Sequence, residues 1–358
     1  MRITMLIRLI FIACTFVLLA CDSKVPGPEN DNTLHQNTSV ERRQVNVYSA
    51  RKEALIFPVL ERFTEETGIV VNLLTGDADA LISRIANEGE LGSADILITT
   101  DIGRLVRAKQ QGLTKAISSD VLNQHIPSHL RDPAGHWFGL TTRARPIMYS
   151  TANVKSEELG DLEDISDEKW RGKVCVRSSS NIYNQSLIAA LIIQEGEALS
   201  LDFVKGLVAN FARPPKGGDK DQIKALAAGQ CDIAIANTYY LAGMLTSQDA
   251  SQLAAAQRVK VFWPNQGNRG THINLSGAVI TRHGPNPVAA KELLEFMLDK
   301  ESQAWYAAHN HEYPVRKDVE PSEVLQRFGA FKAEHLDLEK VGELNGAALQ
   351  LMDRAGWK

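Results

Sequence analysis

Residues 45–68 read VNVYSARKEALIFPVLERFTEETG. The first six alternate and are rich in β-branched residues, and the rest place apolar side chains at helical spacing and stop at Gly68, so the stretch is a strand feeding a helix. Residues 69–90, IVVNLLTG followed by DADALISRIANEGE, repeat the pattern, and ADILITTD with IGRLVRAKQQG, residues 94–112, repeat it again. Each helix closes near a glycine, which accepts the left-handed backbone common at helix ends. Three strand–helix units in succession predict a parallel sheet covered on both faces.

A second series starts after GLTTRARPIMYST, residues 139–151. GKVCVRSS (172–179) leads into NQSLIAALIIQEG (184–196), and QCDIAIANTYY (230–240) leads into LAGMLTSQ (241–248). The chain returns through THINLSGAVITRHG (271–284) to helices near 287–297 and 301–309. Two α/β lobes joined by extended crossings fit this order better than one continuous sheet. The first lobe is expected over 44–142 and about 270–316, and the second over 143–269. Residues 317–358 read as amphipathic helices packing on a lobe.

The N-terminus carries an address. MRITMLIRLIFIACTFVLLA, residues 1–20, has Arg2 and Arg8 ahead of an apolar run that is short for a membrane span and ends on small residues, the pattern of an export signal. Leu18-Leu19-Ala20-Cys21 resembles the lipobox of bacterial lipoproteins, in which the cysteine is lipidated; the alternative is an ordinary secretory signal. By the same analogy, Asp22 favours retention at the inner membrane. Residues 21–43 are polar and lack apolar periodicity, a flexible tether. About 315 residues follow, more than a single core usually serves. The net charge of −4 and the scattered basic residues argue against nucleic-acid binding. A monomer held on the periplasmic side by lipid is the expectation.

Of four cysteines, Cys14 leaves with the signal and Cys21 is the lipid site, so Cys175 and Cys231 remain. Export permits a disulfide between them, but the sequence does not bring the two together, and two buried thiols fit equally.

Open sheets of this kind bind ligands beyond the C-terminal ends of their strands, near helix N-termini. Of seven tyrosines, Tyr48 stands at the end of the first strand, Tyr183 in the turn SSSNIYN, and Tyr239 with Tyr240 after CDIAIAN. Arg143 and Arg145 fall on a crossing between lobes. Singly, each tyrosine reads as an aromatic packed in the core. Four at strand ends in two lobes read as one site. Phenols have a pKa of about 10 and become ligands when a strongly charged cation displaces the proton, which makes iron(III) the natural candidate. Arg143 would balance the charge of a fourth phenolate. Ser178 to Ser180, with Asn181, precede a helix N-terminus and either hold an anion or only cap the helix. No nucleophile with a base, metal-hydrolase motif or phosphate loop marks an enzyme.

VNVYSARKEAL, SADILITTDIGRLVRAKQQGL, RGKVCVRSSSNIYNQSLIA, GQCDIAIANTYYLAGM, GTHINLSGAVIT and HEYPVR resemble, in order, landmarks of the periplasmic ferric-iron-binding proteins of ABC transporters, over about residues 44–316. The resemblance implies a type II periplasmic-binding-protein fold with an interlobe cleft and a two-crossing hinge. It implies iron(III) held by Tyr48, Tyr183, Tyr239 and Tyr240, with Arg143 alongside and an anion or water in any remaining position. The ion would pass to an inner-membrane permease and its ATPase. Where some members have a histidine ligand this chain has Lys52, and where some use a glutamate it has Thr99-Thr100, which points to the branch that relies on tyrosines. Relatives on the same scaffold carry small organic or phosphonate anions or polyamines. In that alternative Arg143 and the Ser178–Ser180 turn anchor the ligand and the tyrosines are its walls.

Overall fold

The structure is a computed structural model that describes residues 43–358. The export signal, Cys21 and all but the last residue of the tether lie outside the described residues.

β1 (Gln44–Ser49), α1 (Phe57–Thr67), β2 (Val70–Thr75), α2 (Ala78–Glu88), β3 (Ile96–Thr100) and α3 (Ile102–Gln110) are the three strand–helix units. α4 (Asp120–His125) and β4 (Phe138–Ala144) complete this run. The chain then forms β5 (Ile147–Ser150), β6 (Val174–Cys175), α5 (Ile182–Ala209, broken at Gly196), α6 (Asp219–Ala227), β7 (Ile233–Ile235), α7 (Thr238–Leu245), α8 (Ala250–Ala256) and β8 (Val259–Phe262). It closes with β9 (Ile273–Ile280), α9 (Pro287–Phe296), α10 (Lys300–Asn310), β10 (Tyr313–Pro314), α11 (Glu323–Gln326), α12 (Leu338–Glu343) and α13 (Asn345–Arg354).

Two sheets define a two-lobed type II binding-protein fold. The first has the order β10-β4-β9-β3-β1-β2 and the second β6-β7-β5-β8. The sheets are mixed rather than wholly parallel. β1 pairs in parallel with β2 and β3, but β9 returns from the other lobe and enters antiparallel between β3 and β4. β6 and β7 are parallel, and β5 runs against β7 and β8. β9 is buried along all eight residues because it has strands on both sides and helices over its faces, which is why INLSGAVI is mostly apolar and its two polar residues, Asn274 and Ser276, are hydrogen-bonded.

The lobes meet where Arg145-Pro146 leaves β4 and where residues 263–272 lead into β9. The Arg145 N–H donates to the His272 carbonyl at 3.0 Å, so the two crossings lie side by side. The tail joins them: Thr271 bridges Ala333, and the Glu334 N–H donates to the Thr271 carbonyl at 2.9 Å.

The C-terminal helices do not rest on one lobe, as their amphipathic pattern alone suggested. α12 packs on α3 of the first lobe and α13 runs along α5 of the second. Each presents a separate apolar stripe, Val341 on one and Ala348, Leu351 and Met352 on the other. Glu339 accepts from Lys109 Nζ and Trp137 Nε1, both at 2.7 Å. Trp357 is fully buried, meets Phe211 edge-on and donates from Nε1 to the Arg177 carbonyl at 2.8 Å. Cys175 and Cys231 are bonded to each other, with Cα atoms 5.9 Å apart, and staple β6 to the approach to β7.

A methyl group on Gly342 would stand 2.6 Å from Val106 Cβ. Gly342→Ala is therefore expected to cost about 1–3 kcal/mol by overpacking, and Trp357→Ala about 3–5 kcal/mol. Both are read as a lowered midpoint in denaturant unfolding. Unchanged midpoints would show that the tail does not hold the lobes.

Candidate functional site

After β6 the chain turns through Ser178–Ser180 to Asn181, whose side-chain oxygen caps α5 by accepting from the Tyr183 N–H at 3.2 Å. After β7 it stays extended to Asn237 (φ −73°, ψ 142°) and then enters α7. Tyr183, Tyr239 and Tyr240 thus all stand in the first turn of a helix. Strand alternation no longer applies to the adjacent pair, and their rings pack 4.2 Å apart. The Tyr239 hydroxyl lies 3.4 Å from the Tyr183 hydroxyl. Across the cleft, Thr100 at the end of β3 brings its hydroxyl to 3.4 Å from the same Tyr183 oxygen.

Tyr48 is not in this group. It shares a strand face with Asn46, whose amide donates to the Ser93 carbonyl. The Tyr48 phenol follows that direction to Glu88 (3.2 and 3.3 Å) and Ser93 (3.3 Å). Glu88 ends α2 and Ser93 precedes β3, so the length of β3 separates this phenol from Thr100. Being near the end of a strand did not aim the side chain at the cleft, because the penultimate residue faces along the sheet's covered surface. Lys52 is exposed at the start of a short turn.

Three guanidiniums surround Tyr183: Arg143, Arg177 and Arg145 lie 5.1, 5.6 and 5.9 Å from its ring centre. Arg143 is 1% exposed. It donates to Ser276 Oγ at 2.8 Å and stands 3.8 Å from Asp101 and 3.9 Å from Glu312. Its Nε and Nη2 have no hydrogen-bond partner. Burial works against its charge, but Tyr183, Tyr239, Asp101 and Glu312 together hold its pKa above the ordinary arginine value. Asp101, at φ 82°, accepts from Ser186 Oγ on α5 at 2.6 Å, a bond between the lobes beside the site. Glu312 accepts from Arg51 and Thr141, both at 2.5 Å. Ser178 and Ser180 bond each other at 3.0 Å.

Arg177 and Asp219 belong to the site and were not singled out from the sequence. Arg177 had a signal, its place at the end of a strand. Asp219 had none, because its partners Arg145 (3.1 Å) and Arg177 (3.5 Å) are far away in the chain.

Burial, reinforced by Tyr183 and Tyr240, raises the Tyr239 phenol well above its usual pKa. Burial, then Tyr183 and Asp219, push Tyr240 up to about 12. Both phenols are therefore protonated at neutral pH until something strongly positive displaces the proton.

Two lobes with polar groups converging between them define a solute-binding protein. The chain belongs to the bacterial extracellular solute-binding protein family, whose model matches residues 59–333. These are the binding components of transporters, not enzymes. The chain is similar to iron uptake protein A1 of Synechocystis sp., at 44% identity over 342 residues, covering 96% of this chain and 93% of that one. Among solved structures it resembles Trichodesmium IdiA (FutA) in complex with iron and citrate ligands, with a TM-score of 0.86 at 46% identity, covering 88% of this chain and all of the other. It also resembles the ferric binding protein from Campylobacter jejuni, with a TM-score of 0.84 at 37% identity and coverage of 88% and 100%. The resemblance to ferric-iron-binding proteins read from the sequence agrees with these matches.

Burial alone would raise the pKa of Glu312, but Arg51 and Arg143, with hydrogen bonds from Thr141 and Arg51, hold it below its ordinary value of 4.5. A carboxyl with a depressed folded-state pKa contributes stability that is full above the unfolded value and is lost as pH falls through the folded one. Glu312→Gln is expected to cost about 3–5 kcal/mol at neutral pH, because two buried guanidiniums lose their counter-ion. Its melting temperature should then decline less than that of the wild type as pH drops below about 4.5. Parallel decline in both proteins would exclude Glu312 as a source of acid sensitivity.

Proposed function

We propose that this chain captures ferric iron in the interlobe cleft through the phenolates of Tyr183, Tyr239 and Tyr240 and delivers it to an ABC permease. The observation that carries this reading is the approach of the Tyr183 and Tyr239 hydroxyls to 3.4 Å of each other from two helix starts, with the Tyr240 ring packed on Tyr239. Three phenolates offset a trivalent charge, and the positive end of each helix favours the developing negative oxygens. The surrounding charges nearly balance: Arg143, Arg145 and Arg177 face Asp101, Asp219 and Glu312, with Arg51 sharing Glu312 and leaving one positive charge over. The complex of iron with three phenolates is then neutral, so a large desolvation cost is avoided.

Positions left open on the metal are filled by water or a small oxyanion such as the citrate of the Trichodesmium relative. Rotation at the crossings closes the first lobe, with Thr100, over the second. The small-anion alternative requires Arg143 to grip the ligand. Against it, the carboxylates of Asp101 and Glu312 lie 3.8 and 3.9 Å from that guanidinium and would repel an anion approaching its unpartnered Nε and Nη2. Family membership supports delivery to a permease and its ATPase. The sequence Leu18–Cys21 supports a lipid anchor holding the protein on the periplasmic face of the membrane. No helix among the described residues is long and apolar enough to cross a membrane.

Protein loaded with ferric citrate is expected to show a phenolate-to-iron charge-transfer band in visible light. The Tyr239→Phe, Tyr240→Phe double variant should lose it, and Tyr183→Phe should bind at least about 10–100-fold more weakly. Tyr48→Phe should match the wild type in band and affinity. Because binding displaces phenol protons, affinity should fall as pH falls. A colourless wild type, or loss of the band in Tyr48→Phe alone, would contradict the assignment.

A further inference from the structure

Arg145 belongs to the hinge by its backbone and to the tyrosine cluster by its side chain. Its N–H donates to the His272 carbonyl on the other crossing. Its guanidinium is 2% exposed and reaches three separate stretches of the second lobe. Nη2 donates to Asn184 Oδ1 at 2.7 Å, on the residue after Tyr183. Nη1 donates to Asn237 Oδ1 at 3.1 Å, two residues before Tyr239, and to Asp219 Oδ2 at 3.1 Å. Asp219 is itself fully buried and also accepts from the Asn237 N–H at 2.8 Å. Asn184 extends the chain of contacts, donating to the carbonyls of Arg177 (3.1 Å) and Ser178 (3.0 Å) in the turn that leads to Tyr183.

Tyr183 stands on the β6–α5 unit and the Tyr239–Tyr240 pair on the β7–α7 unit. One guanidinium joins the two helix starts. Its planar fork fixes direction as well as distance, which a lysine ammonium does not. Asp219 is occupied by Arg145 and Arg177, so its carboxylate is a counter-ion rather than a free metal ligand.

We propose that Arg145, with Asp219 as its counter-ion, is a positioning residue for the three phenols, setting their geometry from the hinge before the ion arrives. This rests on the ferric-iron reading above. Ligands already in place spend little binding energy on being ordered, whereas loosely held ones lose affinity. An ion pair with a purely structural role would alter stability alone. A positioning pair also alters the spectrum and affinity of the bound metal.

Ferric citrate titrations of wild type, Asp219→Asn, Arg145→Lys and Asn237→Ala test this, with melting of each iron-free protein alongside. Asn237→Ala keeps both charges and deletes one arm of the fork, so it remains informative if the charge variants fold poorly. The expected result is affinity lowered about 10–100-fold and a displaced charge-transfer maximum in all three, with Asn237→Ala melting close to wild type and Arg145→Lys giving no rescue. Wild-type affinity and an unmoved band in Asn237→Ala would overturn the proposal. If the wild type itself stays colourless, the iron reading falls instead. Amide exchange over residues 182–184 and 238–240 then decides the positioning role: faster exchange in the variants supports it, and unchanged protection overturns it.

Discussion

A guanidinium stays charged at any pH a protein meets, so burying Arg143 and Arg145 commits the surrounding chain to placing acceptors around them. Arg143 is met by Ser276 from β9, Asp101 after β3 and Glu312 before β10. Arg145 is met by Asp219, Asn184 and Asn237, from the starts of three helices. These partners come from both lobes and from stretches more than a hundred residues apart. Removing such charges from water costs several kcal/mol each, which the apolar cores around β1, β3 and β9 must offset. The arrangement is costly for folding and fixes three guanidiniums around the Tyr183 ring.

The two lobes use the same local device to present polar groups. A parallel strand ends, the chain turns, and a helix begins with its first residues at the cleft. Asp101 caps α3 in this way from a left-handed backbone, and Asn181 and Asn237 introduce the helices that carry the tyrosines. At such junctions the free N–H groups and the positive helix end make a setting for anionic oxygen. The cleft therefore follows from the sheet topology, and Tyr183, Tyr239 and Tyr240 stand at its helix starts. The C-terminal helices, laid over α3 and α5, join the two lobes on which these junctions stand.

Much of this was legible in the chain. Strand–helix units, the two-lobe order and the shared position of Tyr183, Tyr239 and Tyr240 follow from periodicity and from residues placed at strand ends. Tyr48 satisfied the same rule and does not join the cluster. A strand end is a backbone property, whereas the direction of a phenol depends on which face its residue occupies and what stands beyond it. The antiparallel entry of β9 was not legible either, since nothing local records which neighbours a strand will find. Asp219 was invisible for the same reason: a carboxylate at a helix start looks like an ordinary cap until Arg145 and Arg177 arrive beside it.

The sequence by itself determined the class of architecture and the unusual supply of phenols near helix starts, because these depend on contacts between residues close together in the chain. The tertiary structure decided that Tyr183 meets Tyr239 with Tyr240 packed alongside, which guanidiniums surround Tyr183 and how the tail joins the lobes. Those outcomes depend on the direction of side chains and on charges brought together from distant segments, and their energies exist only once the lobes have packed.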